Sequence, residues 1–564
     1  GHVDAGVLHV RPALDLKDPA HAAMIRVISD AVADLTQKHG GLIWGEHGKG
    51  VRSEYVPKFF GPLYPALQSI KAAFDPRNQL NPGKIATPAG KLDAELLKVD
   101  GVPLRADSDR MINERVWESY GTAMHCNGNG ACYNFDPNDA MCPSWKGTRE
   151  RRHSPKGRAS LLREWLLLQT QAGADVLQAP RGVWGFVKTL PSRLKNSFLT
   201  RNESAGDLSH ELYEAMSGCL SCKACAGQCP VKVSVPDFRA RFLELYHARY
   251  LRPMRDYLIG SLEFSVPFLS RFPAVYNALM SNSRIKELLH SRIGMVDSPL
   301  LSGTDMEHAL KKLDVQIASP KALNALSKEQ RKRCVVLIPD AFTRWFDTSV
   351  WIAFFKLAIR TGHTVMVAPY LPNGKPLHVQ GFLPAFEKAA ARQSVLLKTL
   401  SASGVPLVGL DPAMTLVFRQ EYRKVSSGSD CPEVMLPQEW LVQSLPKIDT
   451  ANQGQFQLLA HCTEKTNTPT STALWEPVFE KVGLQLNMPV SGCCGMAGTY
   501  GHEARNMETS KAIYRQSWGP LVEQSTQEQS PELLADGYSC RCQVDRMSGL
   551  RLRHPIEVLL EKFS

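Results

Sequence analysis

Cys219, Cys222, Cys225 and Cys229 fall in the run Cys-x2-Cys-x2-Cys-x3-Cys, closed by Pro230. Three thiolates at that spacing reach three corners of one [4Fe–4S] cubane, and the cysteine before the proline is directed to a neighbouring cluster. Such a centre moves electrons one at a time. A second, irregular group precedes it: Cys126 and Cys132 match the two ends of a Cys-x2-Cys-x2-Cys run whose middle position is Asn129, and Cys142-Pro143 follows. By the same rule Cys142 completes the set of Cys219, Cys222 and Cys225, while Cys229 joins Cys126 and Cys132. The alternative is a single cluster closed locally by Cys229. Loss of the middle thiolate leaves the second site three outcomes: a three-iron cluster, a non-cysteine ligand such as His125 or Asn129, or no cluster.

Two further groups could do chemistry. Near the C-terminal end stand Cys462, Cys493-Cys494-Gly495 and Cys540, with Cys542 as an extra. Such a set suits a zinc ion, one small cluster or a thiol–disulfide site. Cys334 and Cys431 lie outside these groupings and read as buried packing residues. At the front, His2 and His9 occur in Gly-His-x3-Gly-x2-His, and Gly45-Glu46-His47-Gly48 follows. Two imidazoles and the Glu46 carboxylate are the ligand set of a catalytic divalent metal with an open position, zinc being the expected ion. Arg11 and Arg52 are candidates for holding a substrate carboxylate, because a guanidinium fork matches that group.

The elements that must position these residues follow from composition and pattern. The chain of 564 residues has room for three or four domains, and 43% hydrophobic with 21% charged residues is ordinary for globular protein. No apolar run is long enough to span a bilayer, and no secretory signal opens the chain. Fourteen cysteines, mostly grouped, suit a reducing compartment. The expected location is cytoplasmic, with peripheral attachment to the inner membrane as the alternative. The net charge of +11 comes without a lysine-rich tract, so no nucleic-acid partner is expected. Residues 89–113 read as a linker between a front domain (1–88) and a cluster domain (114–245), and residues 246–330 as connecting helices. Within residues 176–201, Pro180 and Pro191 predict a loop that packs its aromatics on the domain. Beyond residue 330 strand and helix signals alternate, with strands over 335–339 and 365–369 around a helix over 348–360. The same order recurs at 457–460, 471–481 and 484–489, which predicts two parallel α/β repeats over 331–450 and 451–564. Overlaying them sets Asp340 opposite Cys462, Pro372-Asn373-Gly374 opposite the Cys-Cys-Gly, and Met414 opposite Cys540. The first copy has kept the frame and lost the thiolates.

The stretches GHVDAGVLHVRP, GEHGKGVRSEYVP and FDPRNQLNPGKI resemble the C-terminal part of FAD-linked oxidases, the family of D-lactate, glycolate and D-2-hydroxyglutarate dehydrogenases. That resemblance implies that His2, His9 and Glu46 hold the metal and that His47 faces a 2-hydroxy acid as acid/base. It also implies FAD bound mostly by a domain preceding this sequence, so the chain reads as the rear part of something longer and would bind flavin poorly alone. CLSCKACAGQCP and CNGNGACYNFDPNDAMCPS resemble the ferredoxin-like domain of large fused flavin/iron–sulfur dehydrogenases. The Cys462, Cys493-Cys494-Gly495 and Cys540 pattern is similar to the CCG domain of heterodisulfide reductase and glycolate-oxidase-type iron–sulfur subunits. The implied fold class is therefore α+β and multidomain: the end of an oxidase domain, a helical ferredoxin-like domain and two CCG-type repeats. The implied activity is oxidation of a D-2-hydroxy acid, with electrons passing from flavin to the cluster and on to a quinone or carrier protein. D-2-hydroxyglutarate is the foremost substrate implied; the alternatives are a non-catalytic electron-transfer subunit docking to a separate flavoprotein, or a D-lactate or glycolate dehydrogenase.

Overall fold

A computed structural model describes all residues except 1, 3–5, 45–47, 181, 199–206, 426, 427, 429, 449–453 and 564; the side chains of residues 183 and 186 are also left undescribed. The chain divides into two compact units, residues 1–117 with 170–174, and residues 118–169 with 175–564.

The first unit is built on the helices Pro19–Lys38 and Tyr64–Phe74. Asp18 caps the first of these by accepting from Ala20 N at 2.8 Å, the usual way to satisfy an orphan helix donor. A small core of Ala33, Trp44, Tyr55, Val56 and Val99 closes around it. Val99 and Asp100 lie in the stretch expected to be a linker, yet both are tied to this core. Val99 N donates to Glu54 Oε1 at 2.6 Å, and Arg26 pairs with both Glu54 and Asp100.

In the second unit the cysteine loops lie between helices. Pro155–Gln171 and Ser209–Ser217 precede the Cys219 run, and Val235–Arg249 follows it. The segment expected to be a loop is instead a helix, Gly182–Phe198, with Pro191 inside it. Trp184 on this helix is 86% exposed, so its aromatics are not all folded onto the domain. One missing N–H does not outweigh the propagation of an otherwise uninterrupted helix.

The C-terminal part holds two parallel sheets. Strands β1 (Gln316–Ile317), β2 (Cys334–Leu337), β3 (Thr364–Val367) and β4 (Leu407–Val408) pair in the order β1-β3-β2-β4. Strands β5 (Gln455–Leu458), β6 (Gln485–Asn487) and β7 (Glu532–Leu534) pair in the order β6-β5-β7. Apart from the added edge β1, the two orders superimpose: β3-β2-β4 on β6-β5-β7. Each third strand also bridges in parallel to a later residue, Val408 to Met435 and Leu534 to Arg553. A proline-initiated helix then begins in both copies, Pro437–Ser444 and Pro555–Glu561. Parallel strands need helical crossovers that bury both faces, and β2 accordingly reads Cys-Val-Val-Leu and is buried throughout. One apolar core serves both sheets, with Trp351, Phe354, Trp475 and Phe479 at its centre.

Candidate functional site

Loops at the carboxyl ends of parallel strands are where such folds place chemistry. In the first repeat Asp340 caps the helix Ala341–Phe346 after β2, through bonds from Phe342 N at 2.8 Å and Thr343 N at 2.9 Å. In the second, His461 caps Cys462–Asn467 after β5. After β3 and β6 come Gly374 and Gly495 at φ of 80° and 90°; this left-handed turn is open to glycine at little cost. The residue before each glycine reaches towards the loop of the third strand. Asn373 Nδ2 donates to Met414 O at 3.2 Å in one copy, and Cys494 Sγ lies 3.4 Å from Cys540 Sγ in the other. Cap for cap, Asp340 falls opposite His461, one residue before the expected Cys462, whereas Asn373 falls opposite Cys494 and Met414 opposite Cys540.

The adjacent cysteines at the second turn bond to each other and to one further thiol each. Cys494 meets Cys540, while Cys493 also meets Cys462. Cys462 makes a further contact, to Cys222 of the middle run, so one line of sulfurs connects the two cysteine regions. Cys462 accepts hydrogen bonds from both Cys222 and Cys493, which holds its thiol well below the ordinary range, and the donors are pushed up. Two contacts fasten this junction: Thr463 Oγ1 donates to Cys222 O at 3.1 Å, and Gly227 lies so close to Thr466 O that a side chain there would collide. Lys465, half-buried and anchored on Ser491 O and Gly492 O, places a cation beside Cys462 and Cys493.

Cys142, Cys219, Cys222 and Cys225 line one small buried cavity; Cys229 is absent from its lining. Cys142 reaches it because its backbone is left-handed, φ 41°, at the start of helix Pro143–Thr148. Ser221 and Lys223 are also left-handed, and Ser221 N donates to Cys219 Sγ at 3.4 Å. Burial pushes the Cys142 thiol up to about 11 and raises Cys225 as well, each helped by the charge of neighbouring sulfurs. Four desolvated thiols that repel one another as thiolates need a cation among them, and this donor set suits a cubane. Buried protein cations are at hand, Lys223 and Arg158 in the cavity lining and Arg239 near Cys219. Arg158, fully buried, donates to His153 O, Ala215 O at 2.7 Å and Ser144 Oγ at 2.9 Å, and lowers the Cys142 thiol electrostatically. Arg149, Arg151 and Lys156, from the stretch just before Arg158, lie instead over Phe135 and Tyr133.

Cys126 and Cys132 are both buried and close enough to influence each other. Asn129 and His125 are exposed, and Asn129 Oδ1 is engaged by Ala131 N at 2.9 Å. Cys229 is buried at the end of helix Ala224–Gln228. Cys334 and Cys431 belong to the apolar core of the first repeat.

In the first unit His2 and His9 come together, ring centroids 5.0 Å apart and edge-on, across a backbone bridge between His2 and Val7. Their proximity fits two imidazoles sharing one ion. Glu46 and His47 lie outside the described residues. Arg11 is exposed, and Arg52 is committed to Ile43 O at 2.7 Å. Among the described residues no group of three or more His, Cys, Asp or Glu closes to metal-ligand geometry.

Residues 1–85 match the family described as FAD linked oxidases, C-terminal domain, and residues 122–233 match the 4Fe-4S dicluster domain. Along its whole length the chain is 61% identical to a D-2-hydroxyglutarate dehydrogenase of Pseudomonas putida and 46% identical to one of Escherichia coli. It spans about half the length of these relatives, 55% of each. A third of the chain, 33%, is 27% identical to one subunit of the anaerobic glycerol-3-phosphate dehydrogenase of Escherichia coli and covers 48% of that protein. No solved structure matches. The chain thus joins a stretch matching the C-terminal domain of FAD-linked oxidases to one matching a 4Fe-4S dicluster domain, and from end to end it is similar to part of the D-2-hydroxyglutarate dehydrogenases.

Proposed function

We propose that this chain is the metal- and cluster-bearing part of a D-2-hydroxy-acid dehydrogenase, with D-2-hydroxyglutarate as its preferred substrate. The observation that carries the reading is the meeting of Cys142 with Cys219, Cys222 and Cys225 around one buried cavity. Ligands distant in sequence converge there on a site that has no other evident use. His2, His9 and Glu46 would hold a divalent ion, whose chemistry is to acidify the substrate hydroxyl. His47 takes the hydroxyl proton, and Arg11 is free to engage a carboxylate. Arg52, already bonded to Ile43 O, is better suited to shaping the turn. FAD, when bound, would supply the acceptor for the hydride. In the middle of the chain Cys142, Cys219, Cys222 and Cys225 hold the cubane, and Arg158 together with the Ser221 N–H stabilises negative charge on the sulfurs. Cys126, Cys132 and Cys229 are the candidates for a second cluster, and Cys462, Cys493, Cys494 and Cys540 for a further metal or redox site.

The partial likeness to a dehydrogenase subunit favours a second reading, in which the chain only relays electrons for a separate flavoprotein. Iron and sulfide analysis with EPR of anaerobically purified protein tests both. Cys142→Ser should remove the main reduced-cluster signal, whereas Cys229→Ser should leave it. Loss of that signal in Cys229→Ser with retention in Cys142→Ser would refute the ligand assignment. Oxidation of D-2-hydroxyglutarate after addition of a matching flavin-binding half separates the dehydrogenase from the relay.

A further inference from the structure

A second, larger cavity of about 350 Å³ opens beside the cysteines and is lined mainly by apolar atoms. Its redox wall consists of Cys219, Cys222, Cys462, Cys494 and Cys542. The facing wall is a set of short helices, Met254–Gly260, Leu262–Leu269 and Pro273–Ser281, through Ile259, Leu262, Val266 and Leu269. A polar corner interrupts this lining. Tyr276 OH and Ser298 Oγ lie 2.6 Å apart, and His502 Nδ1 lies 2.6 Å from Asp297 Oδ1, which Arg546 also binds.

The outer side of the same helices is unusually apolar. Phe264, Phe268 and Phe272 are 53%, 60% and 58% exposed, and Val275, Leu279 and Leu288 join them. Soluble proteins seldom leave such a run uncovered. The charges around it are mainly basic: Arg271, Arg284, Lys286 and Arg292 against Glu287 between residues 264 and 292. Aromatic side chains beside basic ones form the composition that settles into an anionic lipid surface. No helix among the described residues is long and apolar enough to cross a membrane, so the contact would be monotopic.

We infer that this cavity is the acceptor site and that its ligand is a lipid-soluble quinone, delivered through the helical layer from a membrane surface on which residues 254–292 rest. The inference rests on the electron-transfer reading above and names its acceptor. An apolar, ring-sized chamber beside these cysteines suits a flat, uncharged two-electron acceptor. Reduction of one quinone to quinol consumes two electrons and two protons. The electrons come from hydroxy-acid oxidation, one at a time past the Cys219–Cys222 loop. The protons enter at the polar corner, where Tyr276 and His502 face the cavity and Asp297, one-third exposed, connects His502 to solvent. Tyr276, Ser298 and His502 supply hydrogen bonds to a quinone carbonyl.

The test uses the chain itself and needs no turnover. Photolysis with an azido-ubiquinone in detergent should label peptides within 254–280 or 494–503, and excess decylubiquinone should abolish the label. Ser265→Phe, which fills the cavity, should cut labelling about tenfold. Phe268→Ser combined with Phe272→Ser should leave labelling intact and reduce co-sedimentation with vesicles of phosphatidylethanolamine and phosphatidylglycerol about tenfold. Labelling that decylubiquinone does not compete, or that maps elsewhere, would overturn the site. Unchanged vesicle binding in the double variant would overturn the membrane route. Iron content reports separately on the electron-transfer reading, so failure of one does not mimic failure of the other.

Discussion

Replacing Gly227 by alanine tests the junction on which the sulfur line depends. A methyl group at Gly227 would stand 2.2 Å from Thr466 O, whereas ordinary contact begins at 3.4 Å. Helix Ala224–Gln228 must therefore retreat from helix Cys462–Asn467 by about 1.2 Å, the difference between those distances. A shift of that size takes the bond from Thr463 Oγ1 to Cys222 O, now 3.1 Å, out of hydrogen-bonding range. Overpacking costs about 1–3 kcal/mol, and loss of the hydrogen bond adds about 1 kcal/mol. Urea denaturation followed by tryptophan fluorescence should show a destabilisation of about 2–4 kcal/mol at an unchanged slope. Gly303→Ala is the matched control, because nothing lies within 4 Å of the added atom; it should fall within about 0.5 kcal/mol of the parent. A Gly227→Ala protein as stable as that control would show that the two helices are not in contact, and the sulfur line would lose its foundation.

Glu263 is buried against Asn373 N and Gly374 N, and burial raises its carboxyl from 4.5 to about 7 despite those two bonds. A raised acid is stabilising only while protonated, so stability is full below pH 4.5 and declines through pH 7, by roughly 3 kcal/mol at most. Glu263→Gln should flatten the pH dependence of thermal unfolding between pH 4.5 and about 7; an unaltered slope would refute the assignment. Glu421 behaves oppositely. Burial disfavours its charge, but Lys223 and Lys375 outweigh this and hold the carboxyl well below its ordinary range. Its contribution is present above pH 4.5 and is lost on acidification, and Glu421→Gln, which strands two buried ammonium groups, should cost about 3–5 kcal/mol in urea near neutral pH. Arg158→Lys cannot reproduce the fork that joins His153 O, Ala215 O and Ser144 Oγ. A loss of about 2–3 kcal/mol, together with a changed EPR line shape of the reduced cluster, is expected, and parental values for both would contradict the role given to this guanidinium.

The cysteine spacings are legible because cluster ligation is written in short intervals, and Cys142 needs only the proline after it. The repeat frame is legible too: the helix expected over 348–360 is Thr348–Arg360, and the first strands begin one residue early at Cys334 and Thr364. What local pattern cannot convey is distance across the chain. Cys222 meeting Cys462, or Lys223 meeting Glu421, is decided by how whole layers stack. In sequence Arg158 is one of several arginines at a helix entrance, and only burial distinguishes it from Arg149 and Arg151. The helix over Gly182–Phe198 escapes a reading that weighs Pro191 as a breaker, because the φ of proline suits a helix and it withholds a single donor. In the connecting helices Phe264, Phe268 and Phe272 recur every four residues, the spacing of one buried stripe, and only the fold shows that this stripe is exposed.

The doubled architecture has one more consequence. Of two matching sets of loops, one retains sulfur while the other, through Lys375, Asp411 and Met414, has become wall for the chamber that the first faces. Ancestry of this kind separates two tasks that a single copy would have to combine. On the function proposed above, drift in the first-repeat loops would reshape what receives the electrons without disturbing how those electrons are held. Chains of this lineage should accordingly vary in acceptor far more readily than in redox centre, with the changes concentrated near residues 372–376 and 411–414.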